Sequence, residues 1–364
     1  MEAQGRRMGF LVVGVGFLGA QRAAAVMAAR GARLIAVVDR DPERALAVAG
    51  RHGVLAVADL EAGLALPGVE AVIVATPHAE HGEQVRAALE AGKHVLCEKP
   101  LTIDADEARD LALIADAEGL RLATGFNHRF YPPIRDAMAL VSAWRIGRVE
   151  SVRAQIGHRA SAAFLKSWHT DVSRSGGGTL MDNGPHACDL IRRFLGEVVA
   201  AQGYVTDALG LPEGCESEAF ALFRNHDRAV AELRSSWTLE AGYLTLEVRG
   251  GEGYLRVETA PWRLSGVLAG GLRIERRYLT ARAAEWVFRR RFGCERSLVR
   301  ELEAFVSGDR DHPRTHATGW DGCRATEMIQ AVYLSARTGQ EVSLRSPHVH
   351  LPARQGRAAR EARA

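Results

Sequence analysis

No stretch of this sequence approaches the ~18 consecutive apolar residues of a membrane-spanning helix, so no segment reads as a membrane anchor. Cysteine is scarce: Cys97, Cys188, Cys215, Cys294 and Cys323 are odd in number and form no C-x-x-C pair. That argues against a disulfide scaffold or a thiolate zinc knuckle and points to reduced thiols in a cytoplasmic protein. An excess of one charge is missing too, because 47 lysines and arginines face 44 aspartates and glutamates, a net +3 over 364 residues. On that balance neither nucleic acid nor a membrane surface is an expected partner. Internal repeats and low-complexity linkers are lacking, apart from a basic, alanine-rich tail over 353–364 that reads as a solvated, frayed end. Arg6-Arg7 before the apolar run 8–20 imitates the start of a twin-arginine export signal, but that run carries a glycine turn which the following segments need.

What is present is an ordinary globular composition, 47% apolar and 25% charged, in a chain long enough for two domains. From residue 8 to about 124, short aliphatic runs at 9–13, 33–38, 54–57, 71–75, 94–97 and 120–124 alternate with alanine-rich helical stretches. The runs lack strict alternation, as expected of parallel strands covered by helices on both faces. This predicts a Rossmann-type, doubly wound α/β domain over 1–125. Longer, more alternating runs follow at 149–157, 198–205, 218–224, 229–238, 244–249 and 253–258. They predict an α+β domain over 126–352 with a large, mostly antiparallel open sheet. Helices are expected near 294–307 and 321–337, the second returning toward the first domain.

The first strand runs into Gly14-Val15-Gly16-Phe17-Leu18-Gly19, a G-x-G-x-x-G that opens a helix. Gly14 suits the tight turn, Gly16 lets backbone approach a pyrophosphate, and Gly19 allows close helix–strand packing. Asp39 ends the second strand, 20 residues after Gly19, where a carboxylate accepts from ribose hydroxyls and disfavours the extra phosphate of NADP. Arg40 beside it keeps NADP open. Two further strand ends, Ala75-Thr76-Pro77-His78 and Glu98-Lys99-Pro100, fall on the same edge of the sheet, where ligands of such folds bind. In the second half, Gly176-Gly177-Gly178 precedes Asp182, His186 and Asp189, which a helix would place on one face. Capping and core hydrogen bonds, metal ligation, and acid–base groups facing a substrate are the competing readings. Metal is disfavoured, since no further nitrogen or sulfur ligand is evident.

Taken together and in order, these motifs and Gly125-Phe126-Asn127-His128-Arg129-Phe130 resemble the glucose–fructose oxidoreductase and inositol dehydrogenase (Gfo/Idh/MocA) family, closely over about the first 195 residues. The resemblance implies a hydride transfer between NAD, or NADP, and a secondary alcohol or ketone of a sugar, sugar derivative or cyclitol. It also leaves room for glycoside cleavage through transient oxidation, or for a non-enzymatic dinucleotide sensor. It implies catalytic roles for Lys99, Asp182 and His186, with Lys99 at the reacting oxygen and His186 as the usual acid/base. The implied cofactor residues are Gly14, Gly16, Phe17, Leu18, Gly19, Asp39, Arg40, Thr76, Pro77, His78, Glu98, Lys99 and Asn127. Candidate polyol contacts are Lys99, His128, Arg129, Trp168, His169, Asp182 and His186, and a homodimer or homotetramer packed through the open sheet is expected.

Overall fold

The computed structural model describes residues 7–240, 243–308 and 317–345, so the tail 353–364 and Arg6 lie outside the described residues. The first half runs β1 (Met8–Val13), α1 (Phe17–Ala28), β2 (Ala32–Val38), α2 (Pro42–His52), β3 (Leu55–Val57), α3 (Leu60–Leu64), β4 (Ala71–Val74), α4 (His81–Glu90), β5 (His94–Glu98), α5 (Ala105–Ala117) and β6 (Leu122–Gly125). Its strands form one parallel sheet in the order β3-β2-β1-β4-β5-β6. The reversal of direction beside β1 opens a crevice at the carboxyl ends of β1 and β4. Both faces of β1 are buried: Phe10 and Val12 join a core with α1, while Leu11 and Val13 join one with α4 and α5. The absence of alternation in the sequence follows from this double burial.

The second half contains α6 (Pro132–Ser142), β7 (Val149–Gly157), α7 (Val172–Ser175), α8 (Thr179–Asp182), α9 (Gly184–Leu195), β8 (Val198–Thr206), β9 (Glu218–Asn225), β10 (Val230–Ser236), β11 (Leu244–Gly250), β12 (Gly253–Thr259), β13 (Trp262–Leu268), β14 (Leu272–Arg277), α10 (Leu279–Phe292), α11 (Arg296–Ser307), α12 (Gly319–Thr338) and β15 (Val342–Ser343). The nine strands form one sheet in the order β14-β13-β12-β11-β7-β10-β9-β8-β15, antiparallel except for the β7–β10 pair. One face packs on α6, α9 and α12. The opposite face leaves Tyr204, Phe220, Leu222 and Val230 exposed.

β13, β14, α10 and β15 were not anticipated from the sequence. The strand β14 buries none of its side chains, and α10 buries none either, so neither carries the apolar pattern that marks an element. The return of α12 is observed: Thr326 Oγ1 donates to the Thr102 carbonyl at 3.2 Å and Gln330 Nε2 to that of Ile103 at 3.1 Å. The helix α11 also returns, placing Leu298, Leu302 and Phe305 in the core under α1. No described helix is long and apolar enough to cross a membrane.

Candidate active site

The glycine turn between β1 and α1 is built by close contacts. Gly14 has φ +77°, and a Cβ there would lie 2.8 Å from the Ala75 carbonyl oxygen; one on Gly19 would lie 1.7 Å from that of Gly14. A Cβ on Gly16 would meet nothing within 4 Å. The turn is therefore tight on its protein side and open on the other, where the amino end of α1 favours an anion. Asp39 is tied to this turn: Oδ2 accepts from the Val15 amide at 2.8 Å and Oδ1 from the Asp41 amide at 2.9 Å. Capping of α2 falls to Asp41, so Asp39 is not a helix cap. Arg44, which sequence reading missed, approaches Asp39 Oδ1 at 3.4 Å, while Arg40 is exposed and 3.9 Å from Glu80.

A cleft of about 420 Å³ runs from this turn to Lys99 and Asp182, passing Thr76, Pro77 and His78. Phe17, Leu18, Asp39, Arg40 and Glu98 also border it; Gly19 lies beneath the turn. An open cradle, a helix amino end and a carboxylate at the second strand end together suit a dinucleotide. Two of the expected cofactor contacts have other employment. The buried Glu98 carboxylate accepts from Arg22 Nε at 2.5 Å, and Arg22 also reaches Glu301 at 2.6 Å, joining β5, α1 and α11. Burial, opposed by Arg22 and reinforced by Glu98, pushes the Glu301 carboxyl up to about 7. The Asn127 side-chain amide donates to Ser297 Oγ at 3.0 Å and does not border the cleft.

Lys99 follows β5 directly, and its Nζ donates to Asp182 Oδ1 at 2.9 Å and to the Asp182 carbonyl at 2.7 Å. Trp237, fully buried at the end of β10, points Nε1 at Asp182 Oδ2 across 3.4 Å. Burial raises the Asp182 carboxyl, but Lys99 foremost, then His169 and His78, outweighs it and leaves it well below the usual range. The three glycines before Asp182 make room for protein. Cβ atoms on Gly176, Gly177 and Gly178 would stand 2.5 Å from Ile103, 2.3 Å from the Tyr333 hydroxyl and 1.9 Å from the Glu216 carbonyl. The Glu216 carboxylate then accepts from the amides of Gly178 (2.9 Å) and Leu180 (2.7 Å), pinning the start of α8 and so the position of Asp182.

Asp182 ends α8 while His186 and Asp189 lie on α9, with Asn183 between the two helices in right-handed helical geometry. Asp189 pairs with Arg129, whose Nε donates to Oδ2 at 2.7 Å, and Asp321 lies 3.3 Å from the same guanidinium. Arg129 is 1% exposed, so the polyol contact expected of it is corrected to a buried ion pair. It borders a separate cavity of about 510 Å³, where Arg192 is likewise committed to Glu197 and Asp321. His128 is only 3% exposed, and its ring lies flat on His186 with centroids 3.7 Å apart and planes at 16°. Burial first, then Lys99, lowers the His128 imidazole to about 3. His186 is lowered well below its usual value by burial, then by His128, Lys99 and Arg22.

Trp168 and His169 border the cleft beside Asp182 and stack on each other at 3.9 Å. Trp168 meets the edge of His78, whose Nδ1–H donates to the Ser175 carbonyl at 2.9 Å. His169 continues through Phe164 to Trp237. Trp237, Phe164 and Tyr243, whose ring meets that of His128 at 5.3 Å, were missed from the sequence, since no local motif marks any of the three. No cluster of three or more histidine, cysteine, aspartate or glutamate side chains suited to a metal occurs among the described residues.

Residues 8–126 match the family model "Oxidoreductase family, NAD-binding Rossmann fold", and residues 134–256 match "GFO/IDH/MocA C-terminal domain". The chain is 30% identical over 343 residues to the D-xylose 1-dehydrogenase (NADP(+)) 2 of Haloferax volcanii, covering 93% of this chain and 100% of the relative. It is 27% identical to the inositol 2-dehydrogenase of Rhizobium meliloti, covering 92% and 98%. Among solved structures, GenD2 from gentamicin A biosynthesis in complex with NAD superposes with a TM-score of 0.76 at 29% identity, covering 95% and 98%.

Proposed function

Since this chain belongs to the Gfo/Idh/MocA family of NAD(P)-dependent oxidoreductases, which act on CH–OH groups of sugars and cyclitols, we propose residue roles and a substrate class for its own cleft. The observation that carries the reading is the Lys99–Asp182 pair at 2.9 Å, closing the same cleft that begins at the Gly14–Gly19 turn. NAD or NADP, bound along that cleft, supplies the hydride acceptor or donor. The amides around Gly16 and the amino end of α1 hold the pyrophosphate, and Asp39 with Arg40 and Arg44 meets the adenosine ribose. Lys99 stands at the reacting oxygen, where an ammonium stabilises developing negative charge and can give up or regain a proton. Asp182 fixes that amine in place and balances its charge.

The substrate is a neutral sugar, sugar derivative or cyclitol. Lys99 is already balanced by Asp182, Arg174 stands 3.6 Å from Glu80, and the neighbouring His78, His128, His169 and His186 are all shifted toward their neutral forms, so the end of the cleft at Lys99 favours an uncharged substrate. The Trp168–His169 stack gives a flat apolar wall against which the C–H face of a sugar ring can lie. The exposed apolar side chains of β8, β9 and β10 support self-association through the open sheet face.

The test is a panel of neutral aldoses, ketoses, cyclitols and their keto forms, assayed with both cofactors in both directions by nicotinamide absorbance. Turnover of at least one neutral polyol or its ketone is expected, with uronates and sugar phosphates poor. Tight dinucleotide binding with no turnover across the panel would overturn the reading.

A further inference from the structure

Opposite Asp39 and Arg40, which follow β2, the cleft is bordered by a second carboxylate that no motif announces. Glu80 ends the short 3₁₀ turn His78–Glu80 that leads from β4 into α4. Its Oε1 lies 3.9 Å from the Arg40 guanidinium and 3.6 Å from that of Arg174, on α7. One oxygen is thus shared by an arginine of the first half and an arginine of the second. Neither contact is short enough for a hydrogen bond, so Glu80 acts on both through its charge. Arg174 Nη2 is buried and makes no hydrogen bond, and all three side chains border the cleft.

The other charges at this end are also matched. Arg44 lies 3.4 Å from Asp39 and 3.2 Å from Asp41, and Asp59 caps α3 by accepting from the Ala62 amide at 2.8 Å. Arg40, Arg44 and Arg174 are therefore each set against a carboxylate. The ribose hydroxyls of NAD need only an acceptor, which Asp39 supplies. The 2′-phosphate of NADP adds between one and two further negative charges at neutral pH. It would have to draw an arginine away from its carboxylate, with Asp39 and Glu80 both repelling it.

Resting on the placement of the adenosine ribose at Asp39, Arg40 and Arg44 proposed above, we infer that Glu80 is a second specificity-determining residue of the cofactor site. It selects NAD against NADP by holding Arg40 and Arg174 and by repelling a 2′-phosphate. It differs from Asp39 in one measurable respect. Asp39 also ties down the glycine turn through the Val15 and Asp41 amides, whereas the Glu80 carboxylate touches only the two guanidinium groups among the described residues. Removing the charge of Glu80 leaves the turn intact, so NADP affinity rises in absolute terms and not only relative to NAD.

The test titrates NAD and NADP into the sugar-free protein by isothermal calorimetry, for the wild type, Glu80→Gln, Glu80→Lys and Arg174→Gln. Glu83→Gln, an exposed carboxylate in the first turn of α4, is the control. Glu80→Gln is expected to raise NADP affinity about five- to tenfold with NAD affinity held within about twofold, and Glu80→Lys to go further in the same direction. Arg174→Gln moves the ratio the opposite way, because Glu80 then faces the phosphate with one counter-charge fewer, and Glu83→Gln leaves both affinities as they were. An unchanged NADP/NAD affinity ratio in both Glu80 variants, with melting temperatures equal to the wild type, overturns the inference. Equal shifts for the two dinucleotides overturn it as well, since they would make Glu80 part of the frame of the cleft. Asp39→Ala separates the inference from the reading it rests on. If that variant shifts the ratio and the Glu80 variants do not, the role of Glu80 alone falls; if none of them shifts it, the ribose placement falls too.

Discussion

Asp182 grips the Lys99 ammonium twice, through its carboxylate at 2.9 Å and through its own carbonyl at 2.7 Å. The two residues are 83 positions apart, one at the end of a parallel strand and the other at the end of a short helix under the open sheet. Their contact ties the two halves of the chain together at the cleft, where the proposed chemistry lies. It also lies at the far end of the cleft from the Gly14–Gly19 turn, where the proposed pyrophosphate cradle does not depend on Lys99.

Lys99→Ala is therefore expected to lower turnover by about 10² or more while dinucleotide affinity, read by fluorescence titration, stays within about twofold. Asp182→Asn removes the balancing charge and keeps a polar group of the same shape, so its main effect is also on kcat. A Lys99→Ala enzyme with near-normal kcat would remove the lysine from the reacting oxygen.

Asp39→Ala should weaken NAD binding and raise the relative use of NADP, because a repelling carboxylate is lost while Arg40 and Arg44 remain. The structure adds a second consequence. Asp39 also receives the Val15 and Asp41 amides, so its removal loosens the glycine turn and NADP affinity should not rise in absolute terms. Ratios of kcat/KM for the two cofactors check the first point and NADP titration the second; an unchanged ratio would take Asp39 away from the ribose.

Strand ends and glycine motifs were legible in the sequence because each is a local arrangement: a buried run, then the residues that stop it. Gly14–Gly19, Asp39, Thr76 and Lys99 come together as soon as the strands are parallel and adjacent. What was not legible is who holds whom across the chain. Glu98 and Asn127 carry the right motif positions, yet Arg22 and Ser297 occupy their side chains, and nothing local to either segment announces that. Arg129 and His128 sit next to each other in sequence, but one turns into a buried pair with Asp189 and the other lies against His186. The glycine triplet was recognisable as a close approach, though not that its neighbours are Ile103, Tyr333 and Glu216.

Stability should fall as the pH drops below about 6.5. His78, His81, His128 and His186 are buried with lowered pKa values, burial being the largest cause for each. Below the unfolded value of about 6.5 the unfolded chain binds protons that the folded chain refuses, which favours unfolding by up to about 1.4 kcal/mol per pH unit for each such histidine. Glu301 works in the opposite direction: raised to about 7, it takes a proton in the fold that the unfolded chain does not bind until its ordinary value of 4.5. Burial also raises Glu107, Glu216 and Glu285, but the four buried histidines, joined by His52, His94, His158 and His169, outweigh these carboxyls. The melting temperature is thus expected to decline from pH 7.5 to 5.5, and Glu301→Gln to steepen that decline by removing the opposing proton. A flat or rising profile would mean that the histidines are charged in the folded protein.

The same substitution at two glycines should damage two different properties. In Gly16→Ala the added Cβ meets nothing within 4 Å, and φ at this position is −62°, so alanine fits without strain and the melting temperature should hold. The methyl instead stands where a pyrophosphate must approach, and dinucleotide affinity should fall by about tenfold or more. In Gly178→Ala the Cβ is forced to 1.9 Å from the Glu216 carbonyl oxygen, which is backbone and cannot swing aside. Relief requires α8 to move, at a cost of roughly 1–3 kcal/mol for overpacking, and the movement carries Asp182 away from Lys99. That variant should melt several degrees lower and turn over slowly, yet bind dinucleotide nearly as the wild type does. Parallel melting curves and NAD titrations decide it. If Gly178→Ala lost dinucleotide affinity as severely as Gly16→Ala, the loop would belong to the cofactor site instead of the scaffold that places Asp182.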